Sequence, residues 1–226
     1  MDFSYKEFYT ALTPTERKYA PKDMFVAGDA GLLFSGLRVA IVGSRKPSAQ
    51  GIENARCLAE TLVRHGAIVV SGLAEGIDTI AHETAIRAGG KTIAVLGTPL
   101  DKAYPAANAR LLNTIKAGHL AVSQFPLGYP VKKENFPMRN RTMALISDAT
   151  IIVEALENSG TRHQGWEALR LGRLTFILKP VMENPALSWP KEMSGYGAQE
   201  LTCEQLPSFL EAIPNVTSRS DYASLY

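Results

Sequence analysis

An unbroken apolar run that ends in a glycine turn limits the possible folds of this chain more than any other feature. Residues 39–42 (Val-Ala-Ile-Val) are uniformly apolar, which is typical of a parallel strand buried on both faces. Gly43 and Ser44 follow, where the backbone can turn sharply and expose consecutive N–H groups, and Arg45 and Lys46 add two positive charges. Apolar residues at helical spacing come next: Ile52, Ala55, Leu58, Ala59 and Leu62. This order predicts a βαβ unit that holds an anion.

The same pattern returns along the chain. Residues 67–70 form a second apolar run that ends in Ser71 and Gly72 before another helical segment. The predicted strands are 37–42, 67–70, 91–96, 119–123, 149–153 and 173–178, and the predicted helices are 50–64, 79–88, 105–117, 137–147, 164–171 and 204–212. Strands that alternate with helices predict an α/β fold, in which a mostly parallel sheet carries helices on both faces and residues 37–43 lie near its middle.

The 226 residues suffice for one large domain. We expect a lead-in at 1–36 packed on the core, a ligand-binding domain at 37–214 and a flexible tail at 215–226. Within the lead-in, residues 24–28 are a candidate edge strand. Residues 180–203, which are rich in proline and glycine, are predicted as loop.

The net charge of +2 indicates no partner class by itself. Two cysteines, no apolar run of membrane length and a charged N-terminus predict a soluble cytoplasmic protein with no membrane partner.

Small and hydroxyl residues follow four of the predicted strands. In an open α/β sheet, ligands bind beyond the carboxyl ends of the strands. One such turn is explained by its role as a connection, but four together favour a site where a phosphate or sugar approaches the backbone closely. The candidate residues are Gly43, Ser44, Arg45, Lys46, Ser71, Gly72, Gly97, Ser159, Gly160 and Thr161.

The segment 136–141 (Phe-Pro-Met-Arg-Asn-Arg) is the second strong signal. A proline suits the first turn of a helix, which places Arg139 and Arg141 near the positive end of the helix dipole. The two side chains diverge by about 200°, so we expect one to face the ligand and the other to pair with an acid such as Glu154 or Asp148. The alternative is that both form structural ion pairs. Phe136 is either a core residue or a platform on which a base stacks.

Several kinds of site are not favoured. The first turn lacks the G-x-G-x-x-G spacing and strand 67–70 ends in Ser71, where dinucleotide-binding proteins carry an acid. The histidines show no ligand spacing, so no metal and no cofactor is predicted. Asp78 is predicted to cap the helix from 79, with His82 one turn later, and we interpret this pair as structural because no nucleophile lies beside it. No catalytic residue is assigned.

Together these motifs resemble one family. They are residues 39–47 (Val-Ala-Ile-Val-Gly-Ser-Arg-Lys-Pro), 70–82 (Val-Ser-Gly-Leu-Ala-Glu-Gly-Ile-Asp-Thr-Ile-Ala-His), 92–97 (Thr-Ile-Ala-Val-Leu-Gly), 104–108 (Tyr-Pro-Ala-Ala-Asn) and 136–141. The match, over about residues 20–180, is to DprA/Smf, the DNA-processing proteins of bacterial transformation. The resemblance implies an extended Rossmann-like three-layer αβα domain that binds single-stranded DNA, forms a homodimer and loads a RecA-type recombinase. It implies a nucleic-acid pocket formed by Ser44, Arg45, Lys46, Ser71, Gly72, Phe136, Arg139 and Arg141.

The chain departs from that family pattern at two points. Relatives usually continue after Ser-Gly-Ser with small apolar residues, whereas residues 159–166 read Ser-Gly-Thr-Arg-His-Gln-Gly-Trp, so we expect a reshaped pocket. The chain also has room for neither the N-terminal helical domain nor the C-terminal winged helix of many relatives, so we expect a core-only version. The wider superfamily leaves two alternatives, a LOG-like nucleotide phosphoribohydrolase and a nucleotide-sensing module. The enzyme is less favoured, because Glu167 lies too far beyond Gly160-Thr161 for the LOG pattern.

Overall fold

A single eight-stranded sheet organises the protein, and a computed structural model describes it over residues 5–212. The strands are β1 (Phe25–Gly28), β2 (Arg38–Gly43), β3 (Ile68–Ser71), β4 (Thr92–Leu96), β5 (Leu120–Ser123), β6 (Ala149–Glu154), β7 (Leu174–Leu178) and β8 (Gln199–Leu201). The helices are α1 (Tyr5–Thr10), α2 (Pro14–Tyr19), α3 (Ala49–Arg64), α4 (Ile77–Arg87), α5 (Ala109–Gly118), α6 (Asn135–Ile146), α7 (Gly160–Arg170), α8 (Lys179–Met182), α9 (Trp189–Gly195) and α10 (Leu206–Ala212).

The strand order is β1-β5-β4-β3-β2-β6-β7-β8, and only the β1–β5 pair is antiparallel. Strand β2 lies between β3 and β6, where Val39 pairs with Val69 on one side and with Ala149 on the other. The expectation of a mostly parallel sheet with residues 37–43 near its middle is therefore confirmed, as is the α/β Rossmann-like class.

Alternate residues of β2 face two different helical layers. Val39 and Ile41 belong to a core that includes Leu58 of α3, whereas Ala40 and Val42 belong to the core on the opposite face. Because consecutive strand residues point to opposite faces, one short apolar run contributes to both cores and fixes the position of β2. Leu58 is fully buried, and replacing such a leucine with alanine typically costs about 2–5 kcal/mol.

The segment before β2 contains more regular structure than the sequence predicts. Strand β1 forms at the predicted edge position, but α1 and α2 were not expected from so polar a stretch. Helix α2 begins with a capping box, in which Thr13 Oγ1 accepts from the Glu16 backbone and the Glu16 carboxylate accepts from the Thr13 backbone. Arg173 pairs with the same carboxylate. The Arg173–Glu16 contact joins α2 to the residue that directly precedes β7.

Residues 179–201 also differ from the predicted loop. The chain forms α8, α9 and β8 there, and the fully buried Trp189 anchors α9 in the core. Strand β8 is three residues long and carries Gln199 and Glu200, so it has no apolar run by which a sequence pattern could reveal it. The predicted tail at 215–226 lies outside the described residues. Within residues 5–212, no helix is long and apolar enough to cross a bilayer.

Candidate functional site

The order of the strands creates a crevice beside β2. From β2 the chain proceeds through β3 and β4 to β5 on one side, then returns through α6 to β6 on the other. The loops that follow β2 and β6 therefore diverge, and this switch point is where open α/β sheets bind ligands. A cavity of about 520 Å³ lies there, lined by the turn after β2, the first turns of α6 and the start of α7.

The β2–α3 turn, residues 43–46, forms one wall of the cavity. Gly43 packs against α4, since a Cβ at this position would lie 2.6 Å from Ile77. The Ile77 N–H donates to the Ser44 carbonyl at 3.1 Å, which holds the turn in place. Arg45 and Lys46 are exposed. The backbone of the turn is thus fixed, while its two cations remain free to approach a ligand.

The start of α7 forms the facing wall. Ser159 caps the helix by accepting from the Thr161 N–H at 3.2 Å, and the Thr161 hydroxyl donates to the Gly43 carbonyl at 3.1 Å. Gly160 has open space where a Cβ would stand. The Asn140 amide of α6 donates to the Gly160 carbonyl at 3.3 Å. These hydrogen bonds connect three elements around the cavity.

Arg139 reaches into the protein from α6. The residue is only 6% exposed, and its Nη1 donates to the Val95 carbonyl at 3.1 Å. The guanidinium passes directly over Gly72, where any Cβ would overlap it. Its Nε has no hydrogen-bond partner among the described residues. Arg139 lines the cavity, as expected of one of the two arginines, but as a buried group.

Asp78 is the buried counter-charge of Arg139. Its carboxylate accepts from the N–H groups of Gly72 and Ala74 at 3.2 and 3.3 Å. Burial raises the pKa of Asp78, while the nearby charge of Arg139 lowers it. Helix α4 starts at Ile77 after Gly76, so the prediction that Asp78 caps a helix from 79 is wrong. Asp78 instead lies inside the first turn of α4, and its carboxylate accepts hydrogen bonds from the loop that precedes this helix.

Arg141 points away from the cavity. It pairs with Glu167 of α7 at 3.2 Å, and Arg170 binds the same carboxylate at 2.8 Å. The predicted pairing with an acid is thus present, but the partner is neither of the two expected residues. The Asp148 carboxylate accepts two hydrogen bonds of 2.8 and 3.0 Å from the Arg38 side chain and a third of 2.9 Å from the Arg38 N–H. Glu154 accepts from Ser48, the N-cap of α3. Asp148 precedes β6 and Glu154 ends it, and both carboxylates already bind these other partners.

Phe136 forms an aromatic wall at the edge of the cavity. The ring is partly buried and lies over Gly97, at which a Cβ would come within 2.8 Å of it. The Tyr104 ring centroid is 5.1 Å away, and the Arg45 guanidinium carbon lies 5.9 Å from the Phe136 ring centroid. Phe136 therefore packs on the domain with one part of its surface and faces the cavity with another.

Nine predicted residues line the cavity: Gly43, Ser44, Arg45, Lys46, Phe136, Arg139, Ser159, Gly160 and Thr161. Ser71, Gly72 and Gly97 lie behind it, where Ser71 donates to the Ile41 carbonyl and the two glycines accommodate Arg139 and Phe136. Asn140, His163 and Gln164 also line the cavity and are not predicted as site residues. Their only signal in the sequence is the polar composition of the 136–141 and 159–166 segments.

Comparison with known proteins decides the family. The model of the family described as DNA recombination-mediator protein A matches residues 3–211. The chain belongs to this family. Among its relatives are the Escherichia coli protein Smf, 36% identical over 96% of this chain and 59% of the relative, and the Bacillus subtilis DNA processing protein DprA, 34% identical over 80% of this chain and 61% of the relative. The chain thus spans about 60% of the length of these two relatives.

Solved structures agree with this assignment. DNA processing protein A from Streptococcus pneumoniae superposes with a TM-score of 0.75 at 35% identity, covering 85% of this chain and 68% of that protein. The Helicobacter pylori protein, whose structure was described for its single-stranded DNA binding mode, gives 0.76 at 29% identity, covering 88% and 93%. A molybdenum cofactor binding protein from Rippkaea orientalis, at 0.57 and 16% identity over 79% of this chain and 97% of that protein, shares the fold alone.

Proposed function

We propose that this chain binds single-stranded DNA in the cavity beside β2 and serves as a DNA-processing recombination mediator. The observation that carries the proposal is the pairing of a cationic turn with an adjacent aromatic ring in a crevice at the switch point of the sheet. Single-stranded nucleic acid is commonly held by positive groups along the backbone and by rings on which bases stack. Family membership and the DNA binding reported for the Helicobacter pylori relative support the same conclusion.

The two features suit different parts of a nucleotide. Arg45 and Lys46 are exposed cations on a fixed backbone turn, and this combination suits a phosphate. Phe136 presents part of a ring beside them, which suits a base. The wall opposite the turn adds the N-terminal end of α7, which favours negative charge. A strand whose phosphate lies at the turn would bring its base toward the ring.

The nucleotide hydrolase alternative would need the glutamate of the LOG pattern in the cavity. Glu167 does not line the cavity, and its carboxylate is held by Arg141 and Arg170. A general acid or base must reach within hydrogen-bond distance of the reacting atom. We therefore propose a binding function in preference to hydrolysis.

A salt titration of oligo-dT binding tests the proposal. Replacing Arg45 with alanine removes one phosphate contact, so affinity should fall and the slope of log K against log salt should decrease by about 0.7. Arg87→Ala is the matched control, because it removes an exposed arginine at the far end of α4, about 15 Å along the helix from the site. Unchanged affinity and slope for a folded Arg45→Ala protein would refute this placement of DNA.

The proposal extends to partners and location. A recombination mediator must hand its DNA to a recombinase, so we propose a RecA-type partner, and we propose that the chain acts as a homodimer in the cytoplasm. The family description supports the recombinase partner, and the free thiols of Cys57 and Cys203 support a reducing compartment such as the cytoplasm. The homodimer rests on the resemblance to the DprA/Smf family. Analytical ultracentrifugation, with and without oligo-dT, tests the dimer.

The rate at which recombinase filaments assemble on protein-coated DNA tests the partner. If this chain does not accelerate filament assembly, the RecA-type partner is excluded.

A further inference from the structure

Gln164 is a buried amide without a partner. The residue lies on the fifth position of α7, is 1% exposed and lines the cavity. Neither Nε2 nor Oε1 makes a hydrogen bond with any described residue. A buried polar atom left unpaired is destabilising, and an apolar side chain of similar size would avoid this cost. Because Gln164 also lines the cavity, a partner that enters the cavity would supply the hydrogen bonds that its amide lacks.

The chemistry of the amide narrows the class of that partner. Nε2 donates and Oε1 accepts, and the two atoms lie side by side. A phosphate offers acceptors only and a cation offers no acceptor, so each would leave one amide atom unsatisfied. A nucleobase edge offers an adjacent donor and acceptor, which is why glutamine and asparagine recognise bases through two hydrogen bonds.

Other groups around the cavity fit the same ligand. Arg139, which lines the same cavity, has a second buried donor without a partner, its Nε. Asn140 already donates to the Gly160 carbonyl, so its amide is fixed in orientation. Phe136 offers a ring on another side of the cavity. A flat heteroaromatic group with donors and acceptors on its edge would satisfy Gln164 and Arg139 and contact the ring.

We propose that Gln164 reads the edge of a nucleobase that enters the cavity, so that the protein discriminates among bases. This inference rests on the proposed binding of single-stranded DNA and assigns one specificity-determining residue within it. The turn at 43–46 supplies affinity through phosphate contacts that are the same for every sequence. The Gln164 amide adds a preference, because only some base edges match its donor and acceptor in a given orientation.

The test compares oligo-dT, oligo-dA, oligo-dC and an abasic strand of equal length. Wild-type protein should bind the three homopolymers with affinities that span about fivefold or more. Gln164→Met keeps the length of the side chain and removes both hydrogen-bonding atoms, so the three affinities should converge to within about twofold. Affinity for the abasic strand and the salt slope should not change, since no phosphate contact is lost.

Two variants complete the design. Gln164→Glu retains acceptors and removes the donor, so preference should move toward oligo-dC, whose base offers an N4 donor. Gln199→Leu, at an exposed position of β8, is the matched control and should reproduce the wild-type ratios. Thermal melts verify that each variant is folded. Equal wild-type affinities, or unchanged ratios in folded Gln164→Met and Gln164→Glu proteins, would overturn the inference. Absence of wild-type binding to any strand would instead overturn the proposed function.

Discussion

Two buried charged residues, Arg139 and Asp78, dominate the electrostatics around the cavity. Burial lowers the pKa of the Arg139 guanidinium, and the neighbouring Asp78 carboxylate raises it. The converse holds for Asp78, so each buried charge offsets part of the cost of burying the other. Removing Asp78 would leave the buried Arg139 cation without this compensation, and the protein should be less stable. Arg139 is thus at once a structural and a ligand-facing residue.

His82 should make the protein sensitive to acid. Its Nδ1 lies 2.7 Å from Thr92 Oγ1, which itself donates to the Val69 carbonyl, so Nδ1 carries the proton of a neutral imidazole. Burial, aided by the charge of His119, lowers the pKa of His82 to about 3. Between pH 6.5 and 3 the unfolded chain therefore binds a proton that the folded chain does not. The free energy of unfolding should fall by about 2 kcal/mol from pH 7.5 to 5 through His82.

Urea unfolding at pH 7.5 and at pH 5 measures this effect. A His82→Gln variant, which keeps a polar group and does not titrate, should lose less stability over the same interval. The lowered pKa of His119 acts with the same sign and the raised pKa of Asp78 with the opposite sign. Both groups remain in the variant, so the difference between the two proteins isolates the contribution of His82. Equal losses in the two proteins would show that His82 does not carry the dependence.

At the scale of elements, two glycines allow α6 to cross the carboxyl ends of β3 and β4. Arg139 passes over Gly72 after β3, and the Phe136 ring lies over Gly97 after β4. One turn of α6 thus places both its cation and its ring directly against backbone. Hydrogen bonds from the Asn140 side chain to Gly160 and from Thr161 to Gly43 continue the connection to α7 and β2. The cavity is formed by elements that hold one another in position.

Gly72→Ala should disrupt this crossing. The added methyl group would overlap Arg139 Nη1 and displace it from the Val95 carbonyl, so the free energy of unfolding should fall by about 1–3 kcal/mol. Gly160→Ala is the matched control, because open space surrounds that position and its change should stay within about 0.5 kcal/mol. Urea unfolding of both variants provides the comparison. A loss no larger for Gly72→Ala than for Gly160→Ala would mean that Arg139 moves aside without cost.

At the scale of the whole molecule, periodic apolar runs made the sheet predictable. The order and spacing of the runs gave the parallel core, and the glycine turns indicated the edge of the sheet where the cavity lies. Elements without such runs were not predictable, among them β8 and the capped helix α2. The positions of side chains depend on how the helices cross the sheet, and the spacing of the apolar runs does not encode this. The burial of Arg139 and the position of Gln164 in the wall of the cavity are therefore structural findings.

Phe136 is a residue for which the sequence left both a core role and a stacking role open. The ring is partly buried, lines the cavity and lies close to Tyr104 and Arg45. If a base stacks on it, Phe136→Ala should weaken oligo-dT binding by about 1–3 kcal/mol while leaving the salt slope unchanged, since stacking involves no phosphate.

Phe176→Ala is the matched control, because this 3% exposed ring lies in the core away from the cavity. Its loss should cost about 3–5 kcal/mol of stability and leave the affinity of the folded protein intact. Thermal melts and salt titrations of both variants separate the two roles. A Phe136→Ala protein that is destabilised as much as Phe176→Ala, yet binds oligo-dT normally when folded, would assign the ring to the core and leave the cationic turn as the main contact with DNA.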